Sequence, residues 1–306
     1  MKVSTSQMFE RATTQMVSQQ SKVSDMQAQL ASGKQMVRPS DNPEQGALIQ
    51  RLTTALNRQD VYAGNLETVS ARMGSEESAL TSSENIMQRI REIAVQGNSE
   101  TLSGDDRIIL AKEVSALRNE LVSLSNTRDV SGNYVFAGSM TNTRPFAENG
   151  VGEIAYQGDQ TQVMVDVSDQ RQLVLNRPGN EAFTSVIRET DGISERVNFF
   201  AVIDDFTAAL KANDSAGLQV SLAEVSDLTQ NLALAIADVG SRLGVVDSQA
   251  DILADTRLRY QSLLSGAEDL DYASAITQLT SEIMSLEAGQ SSFAKISQLS
   301  LFDYIR

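Results

Sequence analysis

Gly266–Arg306 reads GAEDLDYASAITQLTSEIMSLEAGQSSFAKISQLSLFDYIR. Taken as a helix, it carries a stripe at Tyr272, Ile276, Leu279, Ile283, Leu286, Gln290 and Phe293. Steps that alternate four and three residues are the seam of a coiled coil, here with one polar member at Gln290. A helix with an apolar seam is not stable alone in water, so the pattern predicts a partner. The other end of the chain offers one. Phe9, Ala12, Met16, Gln19, Val23, Met26 and Leu30 follow the same alternation. Residues 1–40 carry Lys2, Arg11, Lys22, Lys34 and Arg38 against Glu10 and Asp25; residues 266–306 carry Lys295 and Arg306 against six carboxylates. Opposite net charge favours docking of the two ends, although salt screens it.

Working inward from both ends, the alternation continues. The first helix is expected over Ser4–Ser32 and stops at Gly33, a usual residue just past a helix end. GKQMVRPSDNP (Gly33–Pro43) reads as a hinge, with Asp41 or Asn42 capping the next helix and Pro43 near its first position. Leu48, Leu52, Ala55, Gln59, Tyr62, Leu66, Val69, Met73, Glu76 and Leu80, then Ser83, Met87, Ile90 and Ala94, predict one helix over Glu44–Gln96, roughly 80 Å long at the α-helical rise. GNSETLSGDD (Gly97–Asp106) breaks it, with Ser103 or Asp105 as the next cap. Leu110, Val114, Leu117, Leu121 and Leu124 mark a shorter helix. The longest seam runs from Leu218 to Ala267, roughly 75 Å, matching the first long helix in length. Gly240 and Gly244 within it read as close-approach points or a soft spot, and Gly266 as the break before the last helix.

Between these helices the period changes at about Val130. Tyr134–Gly138, Glu153–Tyr156, Thr161–Val167 and Gln172–Leu175 read as short strands separated by Asn-Gly, Gln-Gly-Asp and Arg-Pro-Gly turns, ending near Ala182. Helical spacing returns with Phe199, Ile203, Phe206 and Leu210. The expected fold is mainly α: a long coiled-coil-like helical rod built from both chain ends, with a small β-rich domain inserted in the middle. The expected domains are 1–40 with 266–306, 41–133 with 190–265, and 134–189.

Composition narrows the function. The formal net charge of −15 argues against nucleic acid and against an anionic membrane surface. No cysteine and no histidine are present, which removes thiolate chemistry, the commonest general base and the commonest metal ligand. No stretch of 18 apolar residues reads as a membrane span, and MKVSTSQMFE lacks the apolar core of a secretory signal. Asp269 and Asp271, two apart on a helix, face different directions and read as charges at a helix start. Gly104-Asp105-Asp106 and Gly158-Asp159 lack the ligand spacing of a calcium loop. Ser32 and Lys34 are a chance pairing at a helix end. GSRLG (240–244) has polar surroundings, unlike a membrane dimer motif. No catalytic, cofactor or metal residue is therefore nominated. Three classes stay open: a structural assembly protein, a soluble coiled-coil scaffold, and an enzyme.

The two ends also carry a resemblance. LASGKQMVRPSDNPEQGALI (Leu30–Ile49) resembles the Leu-x-Ser-Gly-Lys…Pro-Ser-Asp-Asp-Pro-Ala-Gly pattern of the flagellin superfamily, and DLDYASAITQLTSEIMSLEAGQSSFAKISQLSLFDYI (Asp269–Ile305) resembles its C-terminal segment. The departure is Glu44-Gln45-Gly46, where Ala-Gly is usual. The MKVSTSQMFE start, the LSLFDYIR end, YVFAGSMTNTRPF (Tyr134–Phe146) and YQGD (Tyr156–Asp159) are similar to the hook-associated proteins of the hook–filament junction. Filament flagellin, with MAQVINTN and VLSLLR ends, is the alternative, followed by a non-flagellar coiled-coil scaffold.

The resemblance implies a non-enzymatic component of the bacterial flagellum without cofactors. It implies self-association into a ring or tube between a neighbouring hook-associated protein and flagellin. Export would run through the flagellar type III apparatus without a cleaved signal peptide, with a flagellar export chaperone as partner. The terminal helices would form the inner-tube domain, with Phe9, Met16, Val23, Met26, Leu30, Ile276, Leu279, Ile283, Leu286, Phe293, Leu299, Leu301 and Phe302 as its assembly interface.

Overall fold

The computed structural model of the chain describes residues 2–150, 152–190 and 193–304, with side-chain surroundings over 7–150, 152–189 and 194–295. The chain is mainly α with short antiparallel strand pairs in its middle third. Its contacts divide it into two compact units, residues 1–58 with 255–306, and residues 59–254.

In the first unit, helix α1 (Lys2–Ser32) pairs with helix α7 (Tyr272–Tyr304), and the unit also holds the first turns of α2 (Pro43–Gly97) and the last turns of α6 (Ser215–Glu268). α1 ends where Gly33 takes a φ of 70° and donates its N–H to the Gln29 carbonyl at 2.8 Å. Of the two candidate caps for α2, Asn42 acts: its Oδ1 accepts the Gln45 N–H at 3.2 Å. Asp41 instead accepts the Arg38 N–H within the hinge.

In the second unit the expected seam is the buried line of α2. Leu66, Val69, Met73, Glu76, Leu80, Ser83, Met87, Ile90 and Ala94 are all buried. The apolar ones join one core with Leu110, Val114 and Leu121 of α3 (Gly104–Leu124), with Ile203, Phe206 and Leu210 of α5 (Phe199–Ala212), and with Leu218, Val225, Leu232 and Val239 of α6. Ser103 caps α3, and its hydroxyl accepts the Asp106 N–H. Leu48 and Ala250 fall off the expected seams and are exposed.

Of the two readings of Gly240 and Gly244, close approach within the chain is not found. A Cβ added at Gly240, Gly244 or Gly266 meets nothing within 4 Å, so none marks a close approach within the chain. Gly266 lies inside α6, which runs on to Glu268; the break comes over residues 269–271, where backbone groups turn to other partners.

The β-rich stretch holds β1 (Phe146–Glu148) paired with β2 (Ile154–Tyr156), and β3 (Met164–Ser168) paired with β4 (Arg171–Val174). A short helix, α4 (Gly179–Ala182), comes next, then β5 (Val186–Thr190) paired with β6 (Ile193–Val197). Strand pairing therefore continues past Ala182. The readable signal was Asp191-Gly192 between two alternating runs. Tyr134–Gly138 is not a strand; it contributes only single bridges, Arg128 with Tyr134 and Ala137 with Pro178. Its carbonyls are otherwise used. The Arg72 guanidinium, also paired to Asp129, donates to Tyr134 O at 3.0 Å and to Val135 O at 3.1 Å. Rings of Phe146, Phe183, Phe199 and Phe200 pack edge-on at centroid distances of 5.2–5.5 Å and fasten this stretch to the start of α5.

Candidate assembly interface

The α1–α7 pair is antiparallel. Phe9 meets Phe293 edge-on at 5.4 Å, Gln19 Nε2 donates to Glu282, and Lys34 lies opposite Asp269, so each advance along α1 is matched by a retreat along α7. Every apolar residue expected on the α1 seam is in it: Val23 is 5% exposed, and Phe9, Met16, Met26 and Leu30 are half-buried. On α7, Leu279, Ile283, Leu286 and Phe293 are half-buried.

Ile276 and Tyr272, both expected on the α7 seam, fall outside it. Ile276 is 53% exposed, and Tyr272 at the same end is 51% exposed; Ala275 takes the buried place at 9%. The reason is helix period. Eighteen residues are about five turns of a 3.6-residue helix, which sets Ala275 in line with Phe293, whereas the alternating four-and-three template puts Ile276, a residue out of phase, in that place. Leu299, Leu301 and Phe302 lie outside the residues whose side chains are described.

The pair is thin. Among its described residues only Val23 and Ala275 are fully buried. Met8, Val17, Ile276 and Met284 remain apolar and exposed outside the seam. The 3–4 pattern could not flag Met8, Val17 or Met284, because they stand off the stripe it detects. The structure thus brings the seam residues together inside one chain and leaves a second apolar set facing out.

Of the two carboxylates at the start of α7, Asp271 is the cap. Its Oδ1 accepts the Ala273 and Ser274 N–H groups, and its Oδ2 accepts the Ser274 hydroxyl at 2.7 Å. These bonds, the hydroxyl first, hold its pKa below the ordinary aspartate value. Asp269 is engaged one element earlier, accepting the Ser265 hydroxyl at the end of α6. A depressed folded-state pKa means that the cap's contribution is present above the ordinary aspartate range and is lost as pH falls toward the lower folded value. Asp271→Asn keeps an acceptor but cannot titrate. The expected result is that wild type and Asp271→Asn have similar α7 helicity by circular dichroism at pH 7 and diverge only on the acid side of about pH 4, the ordinary aspartate value, whereas Asp271→Ala is less helical at both.

The other loops named from sequence do local work. Asp159 takes the Ser139 hydroxyl and N–H, which hold its pKa down, and Ser103 exchanges bonds with Asp106. Among the described residues no group of three or more Asp, Glu, His or Cys is placed to hold a metal ion. No described helix is long and apolar enough to cross a membrane.

Comparison with known proteins places these features. Residues 3–141 match the family model for the bacterial flagellin N-terminal helical region. Flagellar hook-associated protein 3 of Escherichia coli (strain K12) is 28% identical over 316 residues, covering 99% of this chain and 99% of that protein. A flagellin of Bacillus subtilis (strain 168) is 24% identical over 276 residues, covering 88% and 87%. Among solved structures, the crystal structure of Xanthomonas campestris FlgL superposes with a TM-score of 0.62 at 24% identity, covering 71% of this chain and 99% of that one.

Proposed function

We propose, for a chain that belongs to the flagellin superfamily and is of its hook–filament junction type, that it is a structural adaptor of the bacterial flagellum, joining a hook-associated ring to the flagellin filament. The observation that carries this reading is the end-to-end match to a hook-associated protein, both chains being covered almost completely, against the shorter match to a flagellin.

The division of labour keeps to the expected domains. Residues 1–40 with 266–306 line the inner tube, 41–133 with 190–265 form the helical rod domain, and 134–189 form the outer domain, the β5–β6 pair crossing the last of these bounds. The seam residues from Phe9 to Phe293 act in assembly by making the α1–α7 pair. Contact between copies then falls to apolar residues outside the seam, Met8, Val17, Ile276 and Met284. Heterologous contacts of this kind build rings and tubes. The partners are copies of the same chain, a neighbouring hook-associated protein and flagellin, with an export chaperone before assembly. Export runs through the flagellar type III apparatus without a cleaved signal, and a chain without cysteine suits passage in the unfolded state. The role is mechanical and needs no catalytic group.

Limited proteolysis of the purified chain separates this from a soluble coiled-coil scaffold. The adaptor is expected as a monomer trimmed first at both termini, since a thin pair awaiting neighbours opens locally before a full core does. A stable dimer whose termini resist as well as residues 59–254 contradicts it.

A further inference from the structure

The linkers leaving the terminal helices meet each other. Gln35 N–H donates to the Glu268 carbonyl at 2.8 Å, and Leu270 N–H donates to the Gly33 carbonyl at 2.9 Å, with Lys34 opposite Asp269 between them. Lys34 Nζ pairs with the Glu268 carboxylate. Gln45, in the first turn of α2, spans both linkers: its Nε2 donates to Gln35 Oε1 at 3.1 Å and to the Ala267 carbonyl at 2.5 Å. Gln29 donates to the Gln35 carbonyl at 2.6 Å. Gly33 is required there, because its φ is 70° and a Cβ would stand 2.8 Å from the Tyr272 hydroxyl. One end of each of α1, α2, α6 and α7 is thus tied into a single knot.

The seam between α1 and α7 does not specify its own register. Apolar residues recur at heptad spacing on both helices, so a slip of seven residues again sets apolar against apolar. Among the described residues, the contacts that distinguish one register from another include a single ring pair, Phe9 with Phe293, and the Gln19–Glu282 bond. The knot resists a slip directly, because an antiparallel pair can slide only if the linkers at its closed end pull apart.

We propose that this knot sets the register in which the terminal helices pair, with Gln45 and the Lys34–Glu268 pair as its positioning residues. Gln45 falls in Glu44-Gln45-Gly46, where this chain departs from the family pattern, and its amide is what connects the two linkers to the start of α2. The register of α1 on α7 is then decided at the knot and passed outward, so the face that the pair presents depends on a handful of polar contacts.

The absence of cysteine makes the test clean. In the full-length chain under mild oxidation, Gln19→Cys with Glu282→Cys reports the observed register, while Gln19→Cys with Ala275→Cys or with Gly289→Cys reports slips of one heptad in either direction. With the knot intact, the slipped pairs are expected to give less than about a tenth of the in-register intramolecular disulfide, given how narrow the bridging distance is. Adding Lys34→Glu and Gln45→Ala is expected to bring slipped yields to within about twofold of the in-register yield, since the seam alone ranks the registers weakly. In the Lys34→Glu background, Glu268→Lys restores opposite charge and is expected to recover the register. A circular dichroism melt shows that residues 59–254 stay folded in each variant. Slipped yields unchanged by Lys34→Glu with Gln45→Ala overturn the proposal. So does an intact chain that forms all three disulfides equally or none of them, and so does failure of the charge swap to restore the register.

Discussion

Arg177→Ala is expected to destabilise the 59–254 unit by about 3–5 kcal/mol, the size typical of a buried ion pair broken from one side. Arg177 sits between two long helices. Its Nε lies 3.1 Å from Glu76 Oε1 on α2, its Nη1 donates to the Ala235 carbonyl of α6 at 3.3 Å, and its Nη2 pairs with Asp238. Glu76 is 1% exposed, and neither of its carboxylate oxygens has a hydrogen bond. Burial already pushes its pKa above the ordinary glutamate value, with Arg177 the leading opposing influence. Without Arg177 that charge stays buried with only the lesser attraction of Arg242 and Arg72.

The sign of the pH dependence comes from the direction of that shift. A carboxyl whose folded pKa is raised binds its proton more tightly in the folded chain, so stability is lost as pH rises from the ordinary glutamate value through the folded one. The penalty of Arg177→Ala is therefore expected to be larger at pH 8 than at pH 5. Adding Glu76→Gln is expected to recover some of it. Urea melts of the three chains at both pH values measure this. A penalty independent of pH, with no recovery in the double variant, contradicts the assignment.

Val23→Asp is expected to abolish assembly while leaving the 59–254 unit folded. Val23 is the most buried described residue of a pair that holds little else buried. A carboxylate there meets no nearby cation from α7, whose charged residues with described surroundings are Glu282, Glu287 and, beyond Phe293 at the far end of the pair, Lys295. Burying it unpaired costs about 3 kcal/mol or more, enough to separate helices held by one narrow seam. The expected outcome is loss of swimming in a strain carrying the variant, with a thermal melt of the purified chain unchanged; Val23→Ile is expected to swim. Normal swimming by Val23→Asp indicates that the α1–α7 seam is not needed in the assembled structure.

Legibility differed by kind of contact. The long helices were readable because each of Leu66, Val69, Met73 and Leu80 faces a core, and burial at a fixed angular step leaves its mark in one dimension. The α1 seam was readable for the same reason. Ile276 was misplaced because the heptad template and a straight helix diverge over more than two repeats, and only the structure says which applies. Tyr134–Gly138 has strand composition, but its carbonyls go to Arg72, 62 and 63 residues away in sequence, which no local pattern reveals. The knot of Lys34, Gln45 and Glu268 was invisible for a related reason. Its members are ordinary polar residues at helix ends, and their meaning arises only when positions 234 apart are brought together. The hinge composition of Gly33–Pro43 announced a turn but not what the turn would hold.

If this chain joins hook to filament, removing it separates the two. In a strain lacking the chain, electron microscopy is expected to show hooks without filaments, immunoblots are expected to find flagellin monomer in the medium, and swimming is expected to return when the chain is supplied. Filaments still attached to hooks, or loss of flagellin itself with the hook–filament joint intact, would contradict the account.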